Sequence, residues 1–299
     1  MSGLSDFTGY RLRVTTLTAR VPAFAVCALL AAVTVAGCGS EAAPKKSEPL
    51  PSPKAKASGP PTLAPGPQGL APVFKNGVRS EKVVALTFDA DMTADQGKRA
   101  ARGERFDNPE LIRTLKQYKV PATVFMTGRW AEEYPAQAKA IGADPLFEVA
   151  NHSYSHYAFT KDCYGLPTIA PKDMKADVER AFKAFEKAGV ADAVPYFRFP
   201  GGCYDRTALR ALAAGGVTAV QWDVVSGDAF ATDADAVAAD VLGGVRPGSV
   251  VVMHCTRSAA PATEKAIRTI VPELRKQGYR FVRVSELIGA AGPAAGPAR

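Results

Sequence analysis

This sequence predicts a parallel α/β fold curled toward a barrel within one domain, and three observations predict it. From Val83 onward, short apolar runs alternate with amphipathic stretches of helical length, the pattern of βα units. The strand-like runs number about seven, which favours barrel-like closure over an open sheet. Two of the most apolar runs stop abruptly at Asp89 and His254, as buried strands do when they deliver side chains to the carboxyl end of a parallel sheet.

Taken in order, the chain opens on Arg11, Arg13 and Arg20, followed by an almost unbroken apolar run from Val21 to Ala36 and then Val35-Ala36-Gly37-Cys38. The run is short for a membrane span, and small residues directly before a cysteine resemble a bacterial lipoprotein signal. Residues 1–37 are therefore expected to be a signal peptide, Cys38 the lipidated residue, and the outer face of the cell membrane the location. Nine prolines among Ala, Ser, Gly and Lys follow, at positions 44, 49, 51, 53, 60, 61, 65, 67 and 72. A segment of that composition buries too little apolar surface to offset its ordering entropy, so 38–72 is expected to be an extended tether.

Strands are predicted at Val83–Phe88, Ala122–Met126, Phe147–Ala150, Tyr196–Phe199, Val217–Trp222, Ser249–His254 and Arg280–Val284, each a β-branched or aromatic run bounded by polar or turn residues. Asn108 caps a helix with Pro109 at its first position, and Pro171 opens another that carries Met174, Val178, Phe182 and Phe185 up to Gly189. Further helices are predicted near Asp205–Ala214, Asp233–Leu242 and Pro261–Lys276. Met92–Asp107 is a long polar connection at a strand's carboxyl end, the place for a cleft rim. The domain is expected to span 73–289 and to end in an Ala-Gly-Pro tail, 290–299.

With 47% hydrophobic and 22% charged residues, a sizeable core is affordable. Arg11, Arg13 and Arg20 against Asp6 supply two of the eight net positive charges, and the remaining Lys and Arg are scattered without interleaved aromatics. Nucleic acid is thereby excluded as a partner, whereas an anionic wall or membrane surface suits the charge. Outside the signal and Cys38 the cysteines are Cys163, Cys203 and Cys255, enough in an oxidising compartment for one disulfide and one thiol in any of three pairings.

The chain has three histidines, His152, His156 and His254. The first two, four apart in Asn151-His152-Ser153-Tyr154-Ser155-His156, would lie on one face of a helical turn, close enough to share a metal that a carboxylate completes. Ser153 stands where the glutamate of an HExxH metalloprotease would be, so that reading lacks its base. Asp89 and Asp91, two apart in extended chain, point to the same side, with Ala90 turned away.

With Thr87-Phe88-Asp89, His152-Ser153-Tyr154-Ser155-His156, Arg198-Phe199-Pro200-Gly201-Gly202, Trp222 with Asp228, and Val252-Met253-His254 in that order, Val83–Ile288 resembles the polysaccharide deacetylases of carbohydrate esterase family four. Pro121–Gly128 looks like that family's second strand. The resemblance implies a distorted (β/α) barrel and a metal-dependent hydrolase that removes N-acetyl groups from N-acetylglucosamine units of peptidoglycan or a chitin-like polymer. Asp89 would be the general base; Asp91, His152 and His156 the ligands of a divalent ion, zinc above all, with cobalt, nickel or manganese as alternatives. Arg198 would orient Asp89, His254 would be the general acid, and Asp228 would hold its tautomer and raise its pKa. Pro200 and Gly201 would border the oxyanion, and Trp222 and Val252 the acetyl pocket. Three departures stand out: Ala90 occupies the place of a second adjacent aspartate, Gly201 that of an aromatic and Ala229 that of a tryptophan. The alternatives are an O-acetyl esterase acting on xylan or another acetylated glycan, and a glycan-binding lipoprotein without activity. A monomer is expected, partnered by glycan and, through its lipid, by the membrane.

Overall fold

The computed structural model describes residues 59–291. The signal, Cys38, the tether up to residue 58 and the tail from 292 lie outside the described residues. No helix of the described residues is long and apolar enough to cross a membrane. The elements run β1 (Val73–Phe74), β2 (Val83–Ala90), α1 (Gly97–Ala100), α2 (Pro109–Gln117), β3 (Ala122–Met126), α3 (Gly128–Glu133), α4 (Pro135–Gly142), β4 (Phe147–Asn151) and α5 (Met174–Ala188). Then follow β5 (Tyr196–Phe197), α6 (Arg206–Ala213), β6 (Thr218–Val220), β7 (Val224–Val225), α7 (Ala234–Gly244), β8 (Ser249–His254), α8 (Thr263–Lys276), β9 (Arg280–Phe281) and α9 (Val284–Ala290).

All strand pairings are parallel, in the order β1-β6-β5-β4-β3-β2-β8-β7, with β9 added against the start of β2. Among the described residues the two ends of that path, β1 and β7, do not pair with each other, so the barrel is distorted and open along one seam. The stretch predicted as one strand, Val217–Trp222, crosses this seam. β6 ends at Val220, and β7 begins four residues later on the opposite edge. Asp223 fastens the crossing: its backbone N–H donates to Val250 O at 3.2 Å, its carboxylate accepts from the Val250 N–H at 2.7 Å, and Arg79 donates to it at 2.7 Å.

β2 runs through the middle, every residue from Val83 to Ala90 buried, because outer helices cover one face and the interior of the curl the other. Leu86, Phe88 and Ala90 join Val124, Val251, Leu111 and Ile267 in the core beneath the outer helices, while Ala85 packs with Phe125, Val250 and Tyr196 inside the curl. The Asn108 side chain caps α2 by accepting from the Leu111 N–H at 3.1 Å, and Gly189, with φ of 87°, ends α5 in the left-handed conformation that glycine adopts without a Cβ clash.

Four expectations need correction. Residues 59–72, assigned to the tether, are strapped to the domain. Tyr196 donates its hydroxyl to Pro61 O at 2.7 Å, the Ala71 N–H donates to Leu209 O at 3.2 Å, and the Ala219 N–H donates to Pro72 O at 2.9 Å. Groups on β5, α6 and β6 supply the polar partners that proline-rich chain cannot find within itself. Val284 begins a helix instead of ending a strand, because Glu286 accepts from the Arg283 N–H at 3.1 Å and closes the first turn. That helix carries Ala290, which was placed in the tail. Met92–Asp107 remains a connection but contains α1, and Trp130 fastens its end by donating to Phe106 O at 2.6 Å.

Candidate active site

The carboxyl ends of β2, β4, β5 and β8 bring the predicted site residues together. Register does the first part: Asp89 lies opposite His254 on β8 and opposite Phe125 on β3, so acid and imidazole are neighbours on adjacent strands. Arg198, just past β5, is fully buried and reaches across the curl to donate from Nη1 to Asp89 Oδ1 at 2.7 Å. Its guanidinium lies 3.9 Å from the centre of the Phe125 ring and 5.4 Å from that of Trp222, so aromatic faces, and not solvent, surround the charge. A buried ion pair of this kind orients its partners more than it stabilises the fold.

The histidine loop is not the helical turn that spacing of four suggested. Asn151 ends β4, and its Oδ1 accepts from the Ser153 N–H at 2.8 Å; Ser153 Oγ accepts from the His156 N–H at 2.9 Å. These two local bonds curl the chain so that Ser153 and His156 both take left-handed φ, 69° and 58°. Non-glycine residues in that region cost about 1–3 kcal/mol each and cluster at functional sites. The result is a pair of imidazoles with ring centres 5.0 Å apart.

His152 Nδ1 lies 2.9 Å from Arg198 O. A carbonyl only accepts, so Nδ1 carries the proton and the Nε2 lone pair points toward Asp89 Oδ2, 3.7 Å away. His156 Nε2 stands 3.6 Å from Asp91 Oδ2. Burial lowers the pKa of His152 and takes that of His156 down to about 4, so both present neutral imidazoles. Asp91 goes the same way for a different reason: burial pushes its pKa up, but His156, His254 and His152 nearby and a hydrogen bond from Thr256 outweigh that and hold it below the usual carboxylate range. Ala90 between the two acids is fully buried in the outer core.

Two neutral imidazoles and an anionic carboxylate are the donor chemistry of a divalent-ion site. The 3.6 Å between His156 and Asp91 is too long for a hydrogen bond, yet matches the upper end of the roughly 3.3–3.6 Å between neighbouring ligand atoms round a tetrahedral ion with bonds of about 2.0–2.2 Å. Among the described residues no three such donors are already drawn into a closed ligand cluster. The residue types and the His156 to Asp91 separation fit such an ion.

The second charged pair is His254 with Asp228. Asp228 is buried and accepts four hydrogen bonds, from His254 Nδ1 at 2.8 Å, the His254 N–H at 2.7 Å, Ser226 Oγ at 2.9 Å and Thr263 Oγ1 at 2.6 Å. Burial would raise its pKa, but the bonds from His254 and Thr263 win and lower it. Burial likewise works to lower the pKa of His254, and Asp228 overrides it, raising the imidazole to about 10. His254 is therefore an imidazolium at neutral pH, with its Nδ1 proton on Asp228 and its Nε2 proton free to donate.

Pro200 is buried and opens a tight turn, Pro200–Gly202, in which Gly201 and Gly202 have φ of 66° and 74°. A Cβ on Gly202 would fall 2.4 Å from the Trp222 ring, so glycine is what lets that half-buried indole lie against the turn. Val252 sits on β8 two residues before His254, nearly buried. Cys163 and Cys203 form the disulfide, and Cys255 is a buried free thiol whose pKa burial raises to about 12. Of the three pairings the sequence left open, the structure takes Cys163 with Cys203, since the histidine-loop extension carries Cys163 to the Pro200 turn. Sequence reasoning missed Thr256, Ser226, Thr263 and Phe125, the partners of Asp91, Asp228 and Arg198. Only proximity in sequence to His254 and Asp228 hinted at the first two.

The polysaccharide deacetylase family model matches residues 76–220, which include β2, the histidine loop and Arg198. A peptidoglycan-N-acetylglucosamine deacetylase of Bacillus cereus is 28% identical over 211 residues, covering 70% of this chain and 89% of that protein. A solved peptidoglycan N-acetylglucosamine deacetylase superimposes with a TM-score of 0.62 at 25% identity, over 75% of this chain and 96% of the other. A carbohydrate esterase family four pseudoenzyme from Bacillus anthracis shares the fold, with a TM-score of 0.61 at 24% identity over 76% and 70%. Residues 76–220 of this chain thus carry a polysaccharide deacetylase domain.

Proposed function

We propose that this protein is a metal-dependent hydrolase that removes N-acetyl groups from N-acetylglucosamine units of peptidoglycan or a chitin-like polymer. The observation that carries the reading is the convergence, at one set of strand ends, of two charged pairs with separate tasks, Arg198 with Asp89 and Asp228 with His254. Between them lie the donors Asp91, His152 and His156, which would hold a divalent ion; zinc is the first choice and cobalt, nickel or manganese the alternatives. When bound, such an ion would polarise the acetyl carbonyl and make water a stronger acid.

The chain's own residues divide the remaining work. Asp89, aimed by Arg198, takes the proton of the attacking water, and His254 gives its Nε2 proton to the departing amine while Asp228 stabilises the imidazolium. The Gly201 amide, beside Pro200, supports the developing oxyanion, and Trp222 and Val252 border the acetyl group. The binding-protein reading finds less support, because Asp91 supplies the carboxylate that Ala90 lacks. The same residues would serve an O-acetyl ester. A lipid on Cys38 would hold the protein, as a monomer, on the outer face of the membrane, where the wall polymer lies.

Acetate release from N-acetylglucosamine oligomers and from acetylated xylan, each as purified, after chelation and after zinc is restored, tests this. Expected is zinc-dependent release from the amide substrate, which His254→Ala reduces by about 10²–10⁴-fold. Release from xylan alone would assign the esterase, and none from either the binding protein.

A further inference from the structure

The reaction centre accounts for the floor of the cleft and leaves two side chains on its rim without a task. Among the described residues the exposed large apolar side chains are Val78, Tyr164, Val225 and Phe230. Tyr164 and Phe230 are 87% and 83% exposed, and these two also occupy left-handed backbone, with φ of 49° and 62°. Each of them is thus doubly unfavourable, an aromatic ring left in water on a backbone that L-residues avoid. Strain held at a rim next to reacting groups is characteristic of ligand clamps.

Neither ring hangs on a slack loop. Tyr164 follows Cys163, which the disulfide ties to Cys203 just beyond the Pro200 turn. A Cβ on Gly201 would stand 2.6 Å from Cys163 Sγ and 3.3 Å from Tyr164 Cδ2, so the tyrosine ring rests beside the bare backbone three residues after Arg198. Phe230 is two residues past Asp228; its N–H donates to Ala259 O at 2.5 Å, and the Ala231 N–H closes the turn on Asp228 O at 3.1 Å. One ring stands on the connection after β4 and the other on that after β7, with the strand end of Asp89 between them in the sheet order. Fixed, solvent-facing aromatic planes match the apolar C–H face of a pyranose ring, whose hydroxyls stay in water while the ring stacks.

We propose that Tyr164 and Phe230 are sugar-stacking platforms on either side of the reaction centre, so that the preferred substrate is an acetamido sugar inside a chain and not a free or terminal one. This deepens the deacetylase reading and rests on it.

The test uses the full chain, with Tyr164→Ala, Phe230→Ala and Tyr164→Phe. Acetate release from a five-unit N-acetylglucosamine oligomer reports the platforms, hydrolysis of 4-nitrophenyl acetate reports the reaction centre alone, and calorimetric titration of the oligomer into chelated protein reports binding without turnover. Expected on the pentamer is a KM raised about three- to tenfold by each alanine, with kcat and the small ester unchanged, and near wild-type behaviour of Tyr164→Phe. Melting temperatures should not move, since both rings are exposed. A pentamer KM and affinity unchanged in both alanine variants overturns the proposal. If the wild type cleaves the ester but releases no acetate from the pentamer, the deacetylase reading fails, and calorimetry then decides the platforms: binding weakened by the alanines keeps them, and no binding by the wild type removes them.

Discussion

In the proposed site, Asp91 would do from one place further along what an acid at position 90 would do. β2 ends at Ala90, whose side chain faces the outer core with Leu86 and Phe88, and the next residue turns its carboxylate to within 3.6 Å of His156 while Thr256 donates to the other oxygen. Asp91→Ala should strip the divalent ion on gel filtration and reduce acetate release at least a hundredfold, as expected for removal of an ion that stabilises the transition state. Ala90→Asp discriminates between the two positions. A carboxyl group forced into that apolar layer has no partner there, so the variant should lose about 1–3 kcal/mol of stability with no gain in metal content. Higher metal occupancy and activity in Ala90→Asp would place the ligand at position 90 after all.

The strap 59–72 makes a different kind of contribution, because its segment carries none of the reacting groups. It meets β6 where the Ala219 N–H donates to Pro72 O and gives the buried Tyr196 hydroxyl its acceptor, Pro61 O. A chain begun at residue 73 would leave that hydroxyl unpaired and, lacking Ala71 and Leu63, uncover the apolar surface on which they pack. We expect a loss of ~3 kcal/mol against a chain begun at 59, read as a melting temperature lower by roughly 6–12 °C. Equal melting of the two would make the strap idle. Composition hides such an element, since prolines and alanines read as tether until a sheet edge offers them partners. Ala122–Met126 and Ser249–His254 were legible to the residue because each is a largely apolar, buried run. β1 and β7, two residues apiece, exist only because a neighbouring strand recruits them. The site was legible as a set of residue types, His152, His156 and His254 with their acids. Its loop geometry was not, because left-handed Ser153 and His156 follow from side-chain bonds to the backbone that a spacing of four does not encode. The Cys163 to Cys203 pairing spans 40 residues and depends on where two loops meet, which no local pattern carries.

For the whole molecule, the buried ionisable groups set a stability profile with two opposed limbs. His156, lowered to about 4, is neutral in the fold while the unfolded chain would protonate it near 6.5; the unfolded state binds more protons between these values, so stability rises with pH across about 4 to 6.5. His254, raised to about 10, has the reverse sign. Its contribution is complete below about 6.5 and is lost as pH climbs through 10, because there the fold holds a proton that the unfolded chain has released. Asp228, lowered by its partners, adds stability above the ordinary carboxylate range that disappears only as pH falls through its folded pKa. Chelated protein should therefore melt highest near pH 6.5 and decline on both sides. Scanning calorimetry in chelator from pH 4 to 10 checks this against two variants. His156→Gln should flatten the acid limb and His254→Gln the alkaline one, the latter from a lower maximum because Asp228 keeps its charge without a cation. An alkaline decline that persists undiminished in His254→Gln would show that the pair with Asp228 does not hold the proton. It would also remove the reason for expecting His254 to arrive at the amine already charged.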